Sequence, residues 1–457
     1  MPKTLRAALL ALATIWPAAA AQADAVPSTP TYSVEQLQQD FRFLQDAIAR
    51  THPDPGHSTD AAALERAYRQ VEAQLRQPMT RDQAWRVLAT LNPVFADGHL
   101  AVLQRGWQAQ TEAHLAAGGT LFPFEVHLTP AGEVFIRAEL GGGASPLAGA
   151  RIESIGGRPA AEAATAVLAR AHGDTPEYRA HLASRRWPFL YWKLYGSPAS
   201  YPLVVRTADG SRPMQVAAGR AVPAPIQEQA SFERNYRLEL LPKRAALLTV
   251  RSFYQDDKKP FFDFAERAFA TLREAKVETL IVDVRDNDGG DDDMWQDGIL
   301  RYIADKPYRI GSSYLKKVLE NRRNERERVG EVVAGSIERE IAPQPGHPLH
   351  FAGRTYVLIG RHTYSSAILF ANVVQDYGFA TVAGAGGYAR ARQSGGVQSL
   401  PLPHTGLVLS APRFVLDRPA GPTGAALVKP DLLLPDSPFN PRELVDALLA
   451  RLDTAGG

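Results

Sequence analysis

Two stretches decide the fold: "TLIVDVRDNDGGDDD" (279–293) and "TYVLIGRHTYSSAILFANVVQDYG" (355–378). Each opens on a short unbroken apolar run, passes through a polar turn bearing Gly-Gly or Ser-Ser, and enters a helical pattern. An unbroken run of this length fits a strand buried on both faces, whereas a half-exposed strand alternates. The same alternation of strand and helix surrounds them. "AALLTVR" reads as a strand, "PFFDFAERAFATLREA" as a helix and "DDMWQDGILRYIAD" as another helix. The expectation for residues 226–457 is therefore an α/β fold with a mostly parallel sheet covered on both faces. In such sheets the loops at the carboxyl ends of the strands carry the chemistry. "RDNDGGDDD" and "RHTYSS" are the two loops so placed.

Working outward, residues 31–115 read as a helical module. Leu37, Phe41, Leu44 and Ile48 recur at helical spacing, and Ser33 with Gln36 and Thr80 with Gln83 fit capping boxes. A loop, "NPVFADGHL", then delivers His99 into an apolar run. Residues 116–225 turn to short strands and glycines, as in "ARIESIGGRP", and form a β-rich module. The aromatics of "RAHLASRRWPFLYWKLYG" are expected to be packing. Residues 314–342 are too polar for a core and read as a surface insertion, either a lid or a solvated helix.

The first 25 residues stand apart. Lys3 and Arg6 precede an apolar run short of the ~20 residues a membrane span needs, and small residues follow. They read as a signal peptide cleaved near Ala23 or Ala25, which implies a periplasmic or secreted protein with no membrane span after its removal. Without Lys3 and Arg6, 49 basic residues balance 49 acidic ones, so no charge excess draws the chain to nucleic acid. There is no cysteine, which excludes disulfides and thiolate metal sites.

Ser365 and Ser366 stand where strand gives way to helix. A serine there can cap the helix, or point its hydroxyl into a cleft shared with the amides of the new helix, which suit a developing oxyanion. Gly289 and Gly290, just after a buried strand, allow close backbone approach and outward-turned amides, a second half for such an oxyanion site. The acidic run after them fails the calcium-loop pattern, since Asp291 and Asp297 fall where Gly and Glu belong. Asp291–Asp293 instead favour a helix start, and neither metal nor cofactor is implied. A nucleophilic serine also needs a base. His99, His362 and His404 are candidates that pattern alone does not separate.

Taken together, "LIVDVRDNDGG", "YVLIGRHTYSSAILFANVVQDYG" and the late "VKPDLLL" resemble the tail-specific, carboxyl-terminal processing serine protease family, which includes the tricorn core protease. "LAGARIESIGGRP" is similar to that family's PDZ-like module. "THPD" with "FADGHL" resembles the front end of its tricorn-like branch, which lacks a catalytic lysine. The resemblance implies a ClpP/crotonase-like core behind a helical and a PDZ-like module. It implies Ser365 as nucleophile, with Phe370 and Ala371 matching the family's Phe-Ala, and an oxyanion hole from Gly289, Gly290 and the Ser366 amide. Where the other branch has lysine, this chain has Arg390, which stays protonated and cannot serve as base; the resemblance thus assigns that role to His99. Two departures stand out. "PTGAALVKPD" lacks the glutamate of tricorn-like members, leaving Asp417 as a candidate orienting acid, and Gly98 replaces the serine beside the histidine. The implied activity is an exported serine endopeptidase acting on unfolded or C-terminal protein segments; the alternative is an inactive peptide-binding protein on the same fold. An α/β esterase lacks its G-x-S-x-G elbow here. The oligomeric state is not legible in the sequence.

Overall fold

The computed structural model describes residues 30–454; the expected signal peptide lies outside them. The last module is built on a six-stranded sheet in the order Tyr236–Leu241, Ala245–Val250, Thr279–Asp283, Arg354–Leu358, Thr381–Gly384, Leu432–Leu433. Only the first pair is antiparallel; the other four are parallel. Successive residues of Thr279–Asp283 serve opposite faces. Leu280 and Val282 pack with Phe261 and Phe269 of the helix Lys259–Glu274 and with Phe370 of the helix Ser366–Tyr377. Ile281 packs with Leu444, Val445 and Leu448 of the C-terminal helix. Double-sided burial explains the unbroken apolar runs, and the α/β expectation holds.

Thr279–Asp283 and Arg354–Leu358 are adjacent and parallel, with Val282 opposite Val357. Their carboxyl-end loops therefore lie side by side, and hydrogen bonds zip them together. Val284 N–H donates to Leu358 O, Thr363 Oγ1 donates to Val284 O at 2.7 Å, and Tyr364 N–H donates to Asn287 O at 3.0 Å.

In the helical region both capping boxes form, at Ser33–Gln36 and Thr80–Gln83. The β-rich region is a sheet in the order Phe124–Leu128, Val134–Glu139, Arg151–Ile155, Ser200–Thr207, Gly210–Ala217. Trp187, Phe189 and Tyr191 are buried as expected, Trp187 and Tyr191 against Phe122 with ring centroids 5.8 and 5.3 Å away. One continuous apolar cluster joins these two regions and takes in Leu402, Leu407, Leu409 and Ala411 from the far end of the chain. The connection is a three-stranded sheet in which Ala101–Leu103 pairs with Val408–Ala411, itself paired with Gln398–Pro401. It brings the loop before residue 101 against the segment before residue 398.

The 314–342 segment is a surface hairpin, not a solvated helix. Ser313–Lys317 and Val332–Ser336 form an antiparallel hairpin, and the first of them pairs with Phe414–Leu416, which also pairs with Gln393–Gly395. The "DDMWQDGILRYIAD" helix forms with a π-turn over Gln296–Leu300.

Candidate active site

Ser365 occupies the position before the helix Ser366–Tyr377, but its side chain does not cap that helix. Its backbone lies at φ 52°, ψ −126°, a left-handed conformation rarely taken by a residue with a Cβ. Such geometry costs about 1–3 kcal/mol and persists only where the surroundings enforce it. Here they do: Ser365 N–H donates to Gln393 Oε1 at 3.1 Å, and its carbonyl accepts from Ile368 and Leu369. The hydroxyl, half-exposed, makes no hydrogen bond with a described residue. The N-cap reading thus gives way to a serine held with its hydroxyl free.

Gly289 lies beneath it at φ 107°. A Cβ there would sit 2.6 Å from the Ser365 Cβ and 3.0 Å from the Ser366 nitrogen, so no other residue fits. Gly290, at φ 135°, lies against the backbone of Phe253. Of the three residues expected to offer amides, Gly289 is corrected: its N–H donates to Asn287 Oδ1 at 2.8 Å. The amides of Gly290 and Ser366 have no partner among the described residues. The Ser366 hydroxyl is fully engaged, donating to Asp292 Oδ1 and accepting from Trp295 Nε1 at 2.9 Å. That binds Asp292 into the wall, while Asp291 and Asp293 both pair with Lys258. The acidic run is consumed by these contacts.

The His99 ring packs 4.9 Å from that of Tyr364, the residue before Ser365. Its Nδ1 lies 3.0 Å from Ser394 Oγ, and that hydroxyl donates to Asp97 Oδ1 at 2.8 Å. A hydroxyl whose proton points at a carboxylate can only accept from the imidazole. Nδ1 therefore carries the proton, leaving Nε2 with a lone pair. Asp97 also accepts from the His99 amide at 2.7 Å. Burial lowers the His99 pKa despite the opposing fields of Asp97 and Asp174, so the ring is neutral at pH 7.

Sequence reasoning missed Ser394 and Asp97. Asp97 was visible two residues before His99, but Ser394, 295 residues away, is joined to it only by the fold. Gly98 also gains a reason. A Cβ there would fall 2.4 Å from the Tyr364 ring, so a serine cannot stand beside His99. Asp174 ties the site together: it accepts from Tyr364 Oη at 2.6 Å, Gly98 N–H at 3.2 Å and Arg390 N–H at 2.8 Å. Arg390 donates to Ala96 O at 2.6 Å, clamping the same loop.

The remaining candidates lie elsewhere. Asp417 accepts from Ser313 Oγ and faces Arg392, so it does not orient His99. His404 bonds Gln39 and Asp40 of the first helix. His362 is buried with its ring 5.1 Å from His181; burial and then Arg185 push its pKa well below the ordinary value.

Among the described residues one trio could share a metal ion: His52, His57 and Asp97, with ligand atoms within 4.8 Å of one another. The hydrogen bonding argues against it. Asp54 N–H donates to His52 Nδ1 at 3.1 Å, which leaves the proton of the neutral ring on Nε2, the atom facing Asp97 Oδ2 at 3.8 Å. A metal ion would need that proton gone. The two rings flank Asp97 Oδ2 at 3.8 and 3.6 Å without a hydrogen bond to it. Burial pushes the Asp97 pKa up, but His52, His57 and His99 outweigh it and keep the group ionised.

Comparison with known proteins agrees with this architecture. Peptidase family S41 matches residues 244–432, a span containing Gly289, Ser365 and Ser394. Mature CPAF complexed with lactacystin is similar in fold, with TM-score 0.62 at 16% identity, covering 92% of this chain and 97% of that one. A second structure of mature CPAF gives 0.61 at 17%, over 92% and 96%. No curated protein matches the chain. The core built around the two zipped loops is a peptidase family S41 domain, and the chain is a serine-type peptidase.

Proposed function

We propose that this protein is an exported endopeptidase that cleaves peptide bonds in unfolded or C-terminal protein segments, with Ser365 as nucleophile and His99 as general base. The observation that carries the reading is a strained serine with an unbonded hydroxyl, directly after the tyrosine on which a histidine of fixed tautomer packs at 4.9 Å. Nε2 of His99 takes the Ser365 proton as Oγ attacks the peptide carbonyl. The amides of Gly290 and Ser366, both without other partners, receive the oxyanion. His99 then returns its proton to the leaving amine, and a water activated by the same Nε2 releases the acyl group. Ser394 and Asp97 hold the ring and stabilise its transient positive charge, a role that the missing glutamate and Asp417 do not fill here.

Export rests on the charged, apolar and small-residue order of residues 1–25. No helix among the described residues is long and apolar enough to cross a membrane. A preference for unfolded substrate is favoured by the site itself. Backbone amides in the loops after two central strands are reached by an extended segment of peptide, and a folded chain offers few of these. The test is hydrolysis of a carboxymethylated, unfolded protein and of its native form by the mature chain. The reading expects cleavage of the first only, and none with Ser365→Ala. Equal cleavage of both forms would overturn the substrate preference; cleavage surviving Ser365→Ala would overturn the nucleophile.

A further inference from the structure

Behind the two loops lies a chamber of about 480 Å³, walled by the β-rich sheet, the core sheet and the segment leading to the C-terminal helix. Seven arginines and four carboxylates line it. Most of the arginines are accounted for. Arg285 pairs with Asp283 and Asp436, Arg251 with Glu228 and Asp286, and Arg185 with Glu228. Arg237 and Arg442 both reach Glu239.

Two arginines make no close ion pair, although Arg137 lies within the field of Glu125 and Arg361 within that of Asp436. Arg137 makes no hydrogen bond or ion pair with a described residue, and Arg361 donates only to the backbone carbonyl of Asp436 at 2.9 Å. Both are half-buried. They converge on His127, whose pKa is lowered to about 4 by burial first and then by Arg361 and Arg137. At neutral pH the ring therefore adds a hydrogen-bonding group but no charge. A half-buried guanidinium with no carboxylate in contact keeps N–H donors unused, and its planar fork matches carboxylate or phosphate oxygens.

We propose that this chamber binds a compact anion bearing carboxylate or phosphate groups, gripped by Arg137 and Arg361. The site is distinct from the Ser365 cleft but touches its supports. Arg361 lies on the loop that ends at Ser365, and Asp283–Asp286 run into the Gly289–Gly290 turn. The anion has two possible sources, the terminal carboxylate of a peptide reaching from the cleft or a free small anion.

The test is calorimetric titration of the full mature chain carrying Ser365→Ala, which separates binding from hydrolysis. Inorganic phosphate and citrate are the probes, against sodium chloride of equal ionic strength. At least one probe is expected to bind, one per chain, with affinity about tenfold weaker in Arg137→Gln, the loss of one charge-assisted contact. Arg137 makes no hydrogen bond or close ion pair with a described residue, so the melting temperature of R137Q without anion should stay close to the parent's and separate lost binding from lost folding. Competition of a short peptide with phosphate, absent for its C-terminal amide, would identify the peptide end as the source. No competition would identify a free anion. Binding no tighter than chloride, or affinity unchanged in R137Q, would overturn the proposal.

Discussion

The Ser365 turn and the Asp97–His99 loop meet at Tyr364 but are held by different means. The turn is fixed by its neighbours: two adjacent parallel strands, backbone bonds between their loops, and a glycine under the serine. The histidine loop has no such scaffold. Side chains from distant segments hold it, with Asp174 and Arg390 clamping residues 96–98 and Ser394 and Asp97 fixing the ring. One half of the site is thus preorganised by the sheet, and the other depends on three parts of the chain docking correctly. Damage to the turn should remove chemistry and leave the fold largely intact. Damage to the clamps should misplace the base.

The sharpest break of this contrast is at the turn. Gly289→Ala would drive a methyl into Ser365 and the Ser366 amide, so kcat should fall by about a thousandfold, since a displacement near 1 Å already costs about a hundredfold. Steady-state kinetics beside a melting curve would check it; near-normal activity would mean the turn is not the rigid half. Next comes Asp97→Asn, expected to lower kcat by about a hundredfold with KM little changed, because the ring loses the charge that orients it through Ser394. Ser394→Ala should give a smaller loss, about tenfold, with the same KM signature. If KM rises while kcat stays, these residues shape substrate binding instead.

The pH response follows from the same contrast. The active form of His99 is neutral, and its folded pKa is lowered from 6.5, so kcat/KM should rise with pH through a midpoint below 6.5 and level off by pH 7. Stability carries the same sign. His172 and His181 are lowered to about 3 and His127 to about 4, chiefly by burial, so the unfolded chain binds more protons below pH 6.5. Their contribution is whole above that pH and is lost as pH falls toward 3, which thermal melts from pH 7 to 4 would register. The smallest effect sharpens the picture of the turn. Ser365→Gly relieves the left-handed backbone and should raise stability by about 1 kcal/mol while activity disappears.

How much of this was legible in the sequence follows the same division. The parallel sheet, the two loops and the serine could be read because their signals are local: unbroken apolar runs, a Gly-Gly turn, a serine at a helix start. Both capping boxes could be read for the same reason. Ser394 could not, because a hydroxyl 295 residues from its histidine leaves no periodic trace. The 314–342 segment misled because its polar residues hide a hairpin that pairs with Phe414–Leu416 across about a hundred residues, and such pairing overrides local propensity. Gly289 was correctly singled out for the wrong duty, since only the structure reveals that its amide is spent on Asn287.

The central claim is that Ser365 is an activated nucleophile and His99 the group that activates it. Treating the folded mature chain with a fluorophosphonate probe and mapping the adduct by mass spectrometry tests this directly. Modification should fall on Ser365 in the parent, be absent in Ser365→Ala, and be slowed at least a thousandfold in His99→Ala. An unmodified Ser365, or labelling undiminished in His99→Ala, would contradict it.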